Sequence, residues 1–124
     1  MASRVLSTAV DLGLEGVYRL EDLGPLVAVA TDAHVGPLLV THYLEPLLAM
    51  GQRGETLVDT LKTYLDSGCG VEAAAASLHV HPNTLRYRMN QIGDLTGANL
   101  NSFQDLVGLW WAVQRHLMTS TPPR

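Results

Sequence analysis

The stretch that decides the fold is Val71 to Leu95, VEAAAASLHVHPNTLRYRMNQIGDL. Val71, Ala74, Ala75 and Leu78 fall at i, i+3, i+4 and i+7, one apolar stripe on a helix. The stripe is mostly alanine, and small side chains let a second helix axis come close. Gly68 and Gly70 precede it, suited to a left-handed helix end and to an N-cap. His79-Val80-His81 then interrupts the alanine helix, and Pro82 fits the first position of a new one, where its missing N–H costs nothing. Leu85, Met89 and Ile92 recur at i, i+4 and i+7 and are expected to face the core.

At about 100° per residue, Asn83, Thr84, Tyr87, Asn90 and Gln91 lie opposite that second stripe, with Arg86 and Arg88 on its flanks. No acid occurs from Ala73 to Gly93, although the chain carries 12 acidic against 8 basic residues. These residue types match the demands of a helix that reads DNA. Asn and Gln can pair bidentately with adenine, and Thr can touch a thymine methyl or a phosphate. Flanking arginines suit phosphates, which set register without carrying sequence information. His81 is placed to touch a phosphate or to cap the helix. The candidate DNA-binding set is therefore His81, Asn83, Thr84, Arg86, Tyr87, Arg88, Asn90 and Gln91, on a recognition helix over about 82–95. A plain structural or protein-binding bundle with a polar outer face has the same pattern.

Leu57 to Gly97, LVDTLKTYLDSGCGVEAAAASLHVHPNTLRYRMNQIGDLTG, resembles the C-terminal helix-turn-helix domain of the PucR/CdaR transcriptional regulators. The likeness is densest over HVHPNTLRYRMNQIGDLTG, His79 to Gly97, and most specific in NTLRYR, Asn83 to Arg88. The resemblance implies a bacterial transcription factor that binds double-stranded DNA as a homodimer, with effector sensing in domains upstream. One departure is Pro82, where the family often carries a basic residue; this removes a potential DNA-contacting charge.

Outward from this unit, Leu57, Val58, Leu61, Tyr64 and Leu65 form a stripe on a preceding helix, with Thr56-x-x-Asp59 as its capping box. Downstream, Ser102-x-x-Asp105 reads as a second cap before Phe103, Leu106, Val107, Trp110, Val113 and Leu117. Trp110 and Trp111 point about 100° apart and cannot share one core. One of them is expected against residues 1–53, a second subunit or the domain's own edge. Thr119 to Arg124 reads as a flexible tail.

The first half is less specific. Val5, Leu6, Ala9 and Val10 suggest a short helix, and Gly16 to Leu20 a short strand. Leu23, Leu26, Val27 and Ala30 suggest a helix starting near Pro25, Thr31 or Asp32 caps the next segment, and Pro37 and Pro46 divide it. GVYRLEDLG and YLEPLLAM resemble the tail of the domain preceding the PucR helix-turn-helix. The expected division is thus 1–53 as the remnant of an upstream sensing, GGDEF-like region, 54–118 as the helix-turn-helix domain and 119–124 as tail, with Met50 to Gly54 as linker. The expected class is mainly α: a three-helix helix-turn-helix core, an added C-terminal helix, and a small helical N-terminal segment with one short strand.

Composition narrows the remaining choices. The chain has 124 residues, 47% apolar and 16% charged, ordinary for a globular protein of one or two small domains. No segment has the apolar length to span a bilayer and no signal-peptide pattern is present, so a cytoplasmic location is expected. Cys69 is alone, which excludes an internal disulfide framework. The net charge of −4 argues against holding polyanions by bulk charge, so any DNA affinity must come from a local face. His79-x-His81 with one distant Cys does not match a structural zinc spacing, and His34, His42 and His116 lie elsewhere. There is no nucleophile elbow and no Gly-rich phosphate loop, so neither enzyme chemistry nor a cofactor or metal is expected. A helical protein-interaction or dimerisation module is the competing reading, and a small metal-dependent enzyme the third.

Overall fold

The computed structural model describes residues 23 to 120, and every regular element in that range is helical. The expected helix near Val5 and strand at Gly16 to Leu20 lie outside the described residues. The chain forms α1 (Leu26–Thr31), α2 (Val35–Leu39), a π-helical turn (Val40–Leu44), α3 (Glu45–Leu48), α4 (Gln52–Asp66), α5 (Val71–Leu78), α6 (Pro82–Thr96) and α7 (Phe103–Ser120). Helices α4, α5 and α6 pack pairwise as the three-helix core, and α7 lies across α1, α2, the π turn and α4.

Local chemistry sets these boundaries. Pro25 is the N-cap of α1. Asp32 then caps α2 as expected: its carboxylate accepts the amides of His34 and Val35, both at 3.0 Å, and that of Gly36. Desolvation pushes this carboxyl up, but the amides of Val35, His34 and Gly36 outweigh it and hold its pKa at about 2. The Trp111 indole also favours the charged form, although its buried Nε1 has no partner of hydrogen-bond geometry. Arg115 on α7 donates to the Asp32 carbonyl and fastens α7 to this corner.

The π turn sits immediately before Pro46. A proline two residues into α3 has no N–H for the carbonyl of His42, and the Glu45 amide donates instead to Val40, five residues back. Pro46 therefore shifts the register without breaking the rod, so the segment is less divided than its two prolines suggest.

Helix α4 begins a turn earlier than its sequence suggests. Gly51, at φ +64°, is its N-cap, and Gln52, Arg53 and Gly54, expected in a linker, are helical. Thr56 is accordingly no N-cap; its Oγ1 donates back to the Gln52 carbonyl at 3.2 Å. The cause is close packing. A Cβ on Gly54 would stand 1.8 Å from the carbonyl oxygen of Leu47, so this glycine brings α4 against α3. Tyr43, Leu44 and Leu47 consequently share one core with Leu57, Leu61, Leu85, Ile92 and Leu109.

At the C-terminal side the Ser102 cap is present: its Oγ accepts the Asp105 amide at 3.3 Å. Asp105 accepts the Asn99 amide at 2.8 Å and the Tyr43 hydroxyl at 3.1 Å, pinning the α6–α7 loop to the π turn. Burial first, then the Asp105 charge, raises the Tyr43 pKa and keeps that hydroxyl a donor. Helix α7 continues to Ser120, two residues into the expected tail. Trp110 and Trp111 both border an open apolar groove of about 330 Å³ with Pro25, Cys69, Phe103 and Val107. Among the described residues no helix is long and apolar enough to cross a membrane.

Gly54→Ala should destabilise the fold by about 3 kcal/mol or more, because its Cβ meets backbone and not a side chain that can turn away. Chemical denaturation checks this; a loss below about 1 kcal/mol would mean that α3 and α4 separate freely.

Candidate nucleic-acid interface

The site is built by two helix ends. Helix α4 stops where Gly68, at φ +66°, lets the amides of Gly68 and Cys69 turn back to the carbonyls of Leu65 (3.3 Å) and Tyr64 (2.9 Å). Gly70 is then the N-cap of α5, as its sequence position suggests. Helix α5 ends the same way on a less usual residue. His79 adopts φ 58°, ψ 42°, its amide reaching Ala76 at 3.2 Å and that of Val80 reaching Ala75 at 3.0 Å. This left-handed turn redirects the chain into α6. Of the α5 stripe, Ala74 and Ala75 are fully buried, while Val71 and Leu78 are half-buried against the core.

His81 caps α6, its Nδ1 accepting the Asn83 amide at 3.0 Å, and Pro82 holds the first helical position. The inward stripe is as the spacing predicts: Leu85 and Ile92 have no exposed surface and Met89 has 4%. Burying each stabilises the fold by roughly 1.5–3 kcal/mol. With that face fixed, the outward face is fixed too. His81, Asn83, Thr84, Arg86, Tyr87 and Asn90 are all exposed, and Tyr87 leaves 65% of its surface to solvent. Arg86 Nη1 donates to Asn83 Oδ1 at 3.0 Å along the helix surface.

Two of the eight expected residues sit differently. Arg88 is half-buried, its Nη1 3.3 Å from Thr60 Oγ1 on α4, and that fully buried hydroxyl donates in turn to the Thr56 carbonyl at 2.8 Å. Gln91 is half-buried as well, its Oε1 accepting Arg53 Nη2 at 2.6 Å. Both lean on α4 at the edge of the outer face. They follow Thr84 at four- and three-residue steps, on the flank that α4 covers. Arg53 itself was missed by sequence reasoning because MGQRG reads as a linker; a helix begun at Gln52 brings its guanidinium beside α6. Of the five basic side chains among the described residues, Arg53, Arg86 and Arg88 thus lie on or against α6. Lys62 pairs with Asp66 at 2.6 Å, and Arg115 holds the Asp32 carbonyl. A chain of net charge −4 thus gathers three arginines at one helix, along a stretch that carries no acid from Ala73 to Gly93. Among the described residues no three His, Cys, Asp or Glu side chains come together as a metal ion requires.

The sequence that builds this geometry has matches among known proteins. Residues 57–114 fit the model of the PucR C-terminal helix-turn-helix domain. The chain carries a PucR-type helix-turn-helix domain. Its relatives include the carbohydrate diacid regulator of Escherichia coli, 45% identical over 99 residues, which are 78% of this chain and 25% of that protein. An uncharacterized protein of Mycobacterium tuberculosis is 45% identical over 76 residues, 61% of this chain and 18% of the relative. The proline-responsive transcriptional activator PutR of Bacillus subtilis is 42% identical over 48 residues, 39% of this chain and 12% of that protein. The chain therefore spans about a quarter or less of these relatives. Two of these relatives are named as a transcriptional activator and a regulator, and the part of this chain shared with the regulator contains the helix-turn-helix.

His79→Gly should stabilise the protein by about 0.5–1 kcal/mol, since a left-handed conformation costs a side chain more than glycine's added chain entropy. Thermal melting checks this, as a rise of a few degrees; a fall would show that the exposed imidazole does more than end α5.

Proposed function

We propose that this domain reads DNA by laying α6 in the major groove, and that two copies occupy one two-fold-symmetric site. The observation that carries this is the division of α6 itself. One face is sealed into the core by Leu85, Met89 and Ile92, and the opposite face presents His81, Asn83, Thr84, Arg86, Tyr87 and Asn90 with no acid from Ala73 to Gly93. Base edges are contacted from that outward face. Arg53 and Arg88, on the α4 flank, reach phosphates and set the register. One domain with so few cations is too weak to select a site alone, which favours two copies with recognition helices about 34 Å apart.

In this reading the chain acts in the cytoplasm as the DNA-binding portion of a regulator. Effector binding belongs to another region of such a regulator. The names of two relatives, proline-responsive activator and carbohydrate diacid regulator, mark small metabolites as the effector class to test. Residues 1–53 are then the junction with that region, although Tyr43, Leu44 and Leu47 pack with the helix-turn-helix. A second reading, a helical protein-interaction module, is favoured by one observation: Phe103 is 80% exposed at the rim of the apolar groove on α7.

A salt titration against duplex DNA separates the two. The logarithm of affinity should fall with the logarithm of salt by about 0.9 per phosphate engaged, hence by about 2–3 per domain. Arg53→Gln with Arg88→Gln should flatten that slope by nearly 2 per domain and weaken specific and random duplexes alike. Absence of any duplex binding at low salt would favour the protein-interaction reading.

A further inference from the structure

Two hydrogen bonds at the start of α6 decide which chemistry its side chains can offer to a base. His81 Nδ1 accepts the Asn83 amide at 3.0 Å. A neutral imidazole nitrogen that accepts carries no proton, so the ring proton is on Nε2 and the free edge of His81 is a donor. Asn83 Oδ1 accepts Arg86 Nη1 at 3.0 Å, which turns the carboxamide oxygen along the helix towards Arg86 and leaves the Nδ2 hydrogens as the free end. The guanidinium of Arg86 has donors only. All three side chains are exposed. The free hydrogens at this corner are therefore those of His81 Nε2, Asn83 Nδ2 and Arg86, with His81 Nδ1 filled and Asn83 Oδ1 already holding a donor.

Base edges differ in what they ask of such a surface. In the major groove guanine shows two acceptors side by side, N7 and O6. Adenine shows one acceptor and one donor, and cytosine a donor, so each asks for an acceptor from the protein; thymine shows one acceptor, O4, beside a methyl group, so guanine alone matches a pair of donors. We propose that the His81–Asn83–Arg86 corner selects guanine, and that Arg86 sets this choice by occupying the Asn83 oxygen. The proposal rests on the major-groove reading above and deepens it. It replaces the general expectation that an asparagine on a recognition helix pairs with adenine. Arg86 is here a specificity residue acting partly through Asn83. A phosphate is also an acceptor, so the test must distinguish a base edge from the backbone.

The test is selection from randomised duplexes by the whole chain, run in parallel with Asn83→Ala and Arg86→Ala, with circular dichroism to verify folding. The base position at which Asn83→Ala loses its preference is the one read by this corner. The wild type should fix guanine there, and 7-deazaguanine at that position should lower its affinity roughly tenfold. Arg86→Ala frees the Asn83 oxygen and should move the preference from guanine to adenine, again by about tenfold in ratio. Adenine fixed by the wild type would overturn the proposal. So would an Arg86→Ala variant that weakens all duplexes equally without changing any base, which would make the corner a phosphate clamp while leaving DNA binding intact. Failure of the wild type to retain any duplex at low salt would sink the major-groove reading itself, and the guanine proposal with it.

Discussion

The structure depends on how α6 is rotated, and that rotation is set by burial of Leu85, Met89 and Ile92. Turning the helix by one residue, about 100°, would expose these side chains and bury Arg86 with Asn90, or Thr84 with Arg88. The cost would be several kcal/mol from lost apolar burial alone, before any charge was desolvated. The core that receives the stripe is made of small and close-set parts. Ala74 and Ala75 let α5 approach, and Gly54 lets the segment before α4 close the far side. The outward display is thus a consequence of packing, and the polar residues need no contacts of their own to be aimed correctly.

Around that constraint the remaining interactions act as fasteners. Thr60 and Arg88 join α4 to α6 along one flank, and Arg53 and Gln91 join them further along. Asp105 ties the loop after α6 to Tyr43 on the π turn, and Asp32 with Arg115 ties the first helices to α7. Among the described residues three of the five Lys and Arg side chains lie on or against α6, although the chain as a whole is acidic. Local placement of charge, not its total, is what such a protein has to bring to a polyanion. The apolar groove beside Phe103 and Trp110 is a different kind of surface, formed on α7 with Pro25 and Cys69.

Much of this was legible in the residues. The inward stripe of α6, the alanine face of α5, the roles of Gly68, Gly70, Pro82 and Ser102, and the His81 cap all follow from local periodicity and capping chemistry. What was not legible depends on neighbours distant in sequence. Gly54 reads as a breaker until the Leu47 carbonyl is known to lie against it, and that misreading displaced the start of α4 and hid Arg53. Arg88 and Gln91 look outward on a helical wheel, but the wheel does not say how much of the flank α4 covers. The π turn before Pro46 and the left-handed His79 are likewise solutions to tertiary closure, in which a residue adopts a conformation that its own preference would not select.

The most direct test of the central claim is to map amide chemical-shift changes on the whole chain as a duplex carrying a selected site is added. If the rotation of α6 is what presents the reading surface, the largest changes should cluster on His81, Asn83, Thr84, Arg86, Tyr87 and Asn90. Leu85, Met89, Ile92 and the Phe103 end of α7 should change little. Changes concentrated at Phe103, Val107 and Trp110, with α6 undisturbed, would contradict the account.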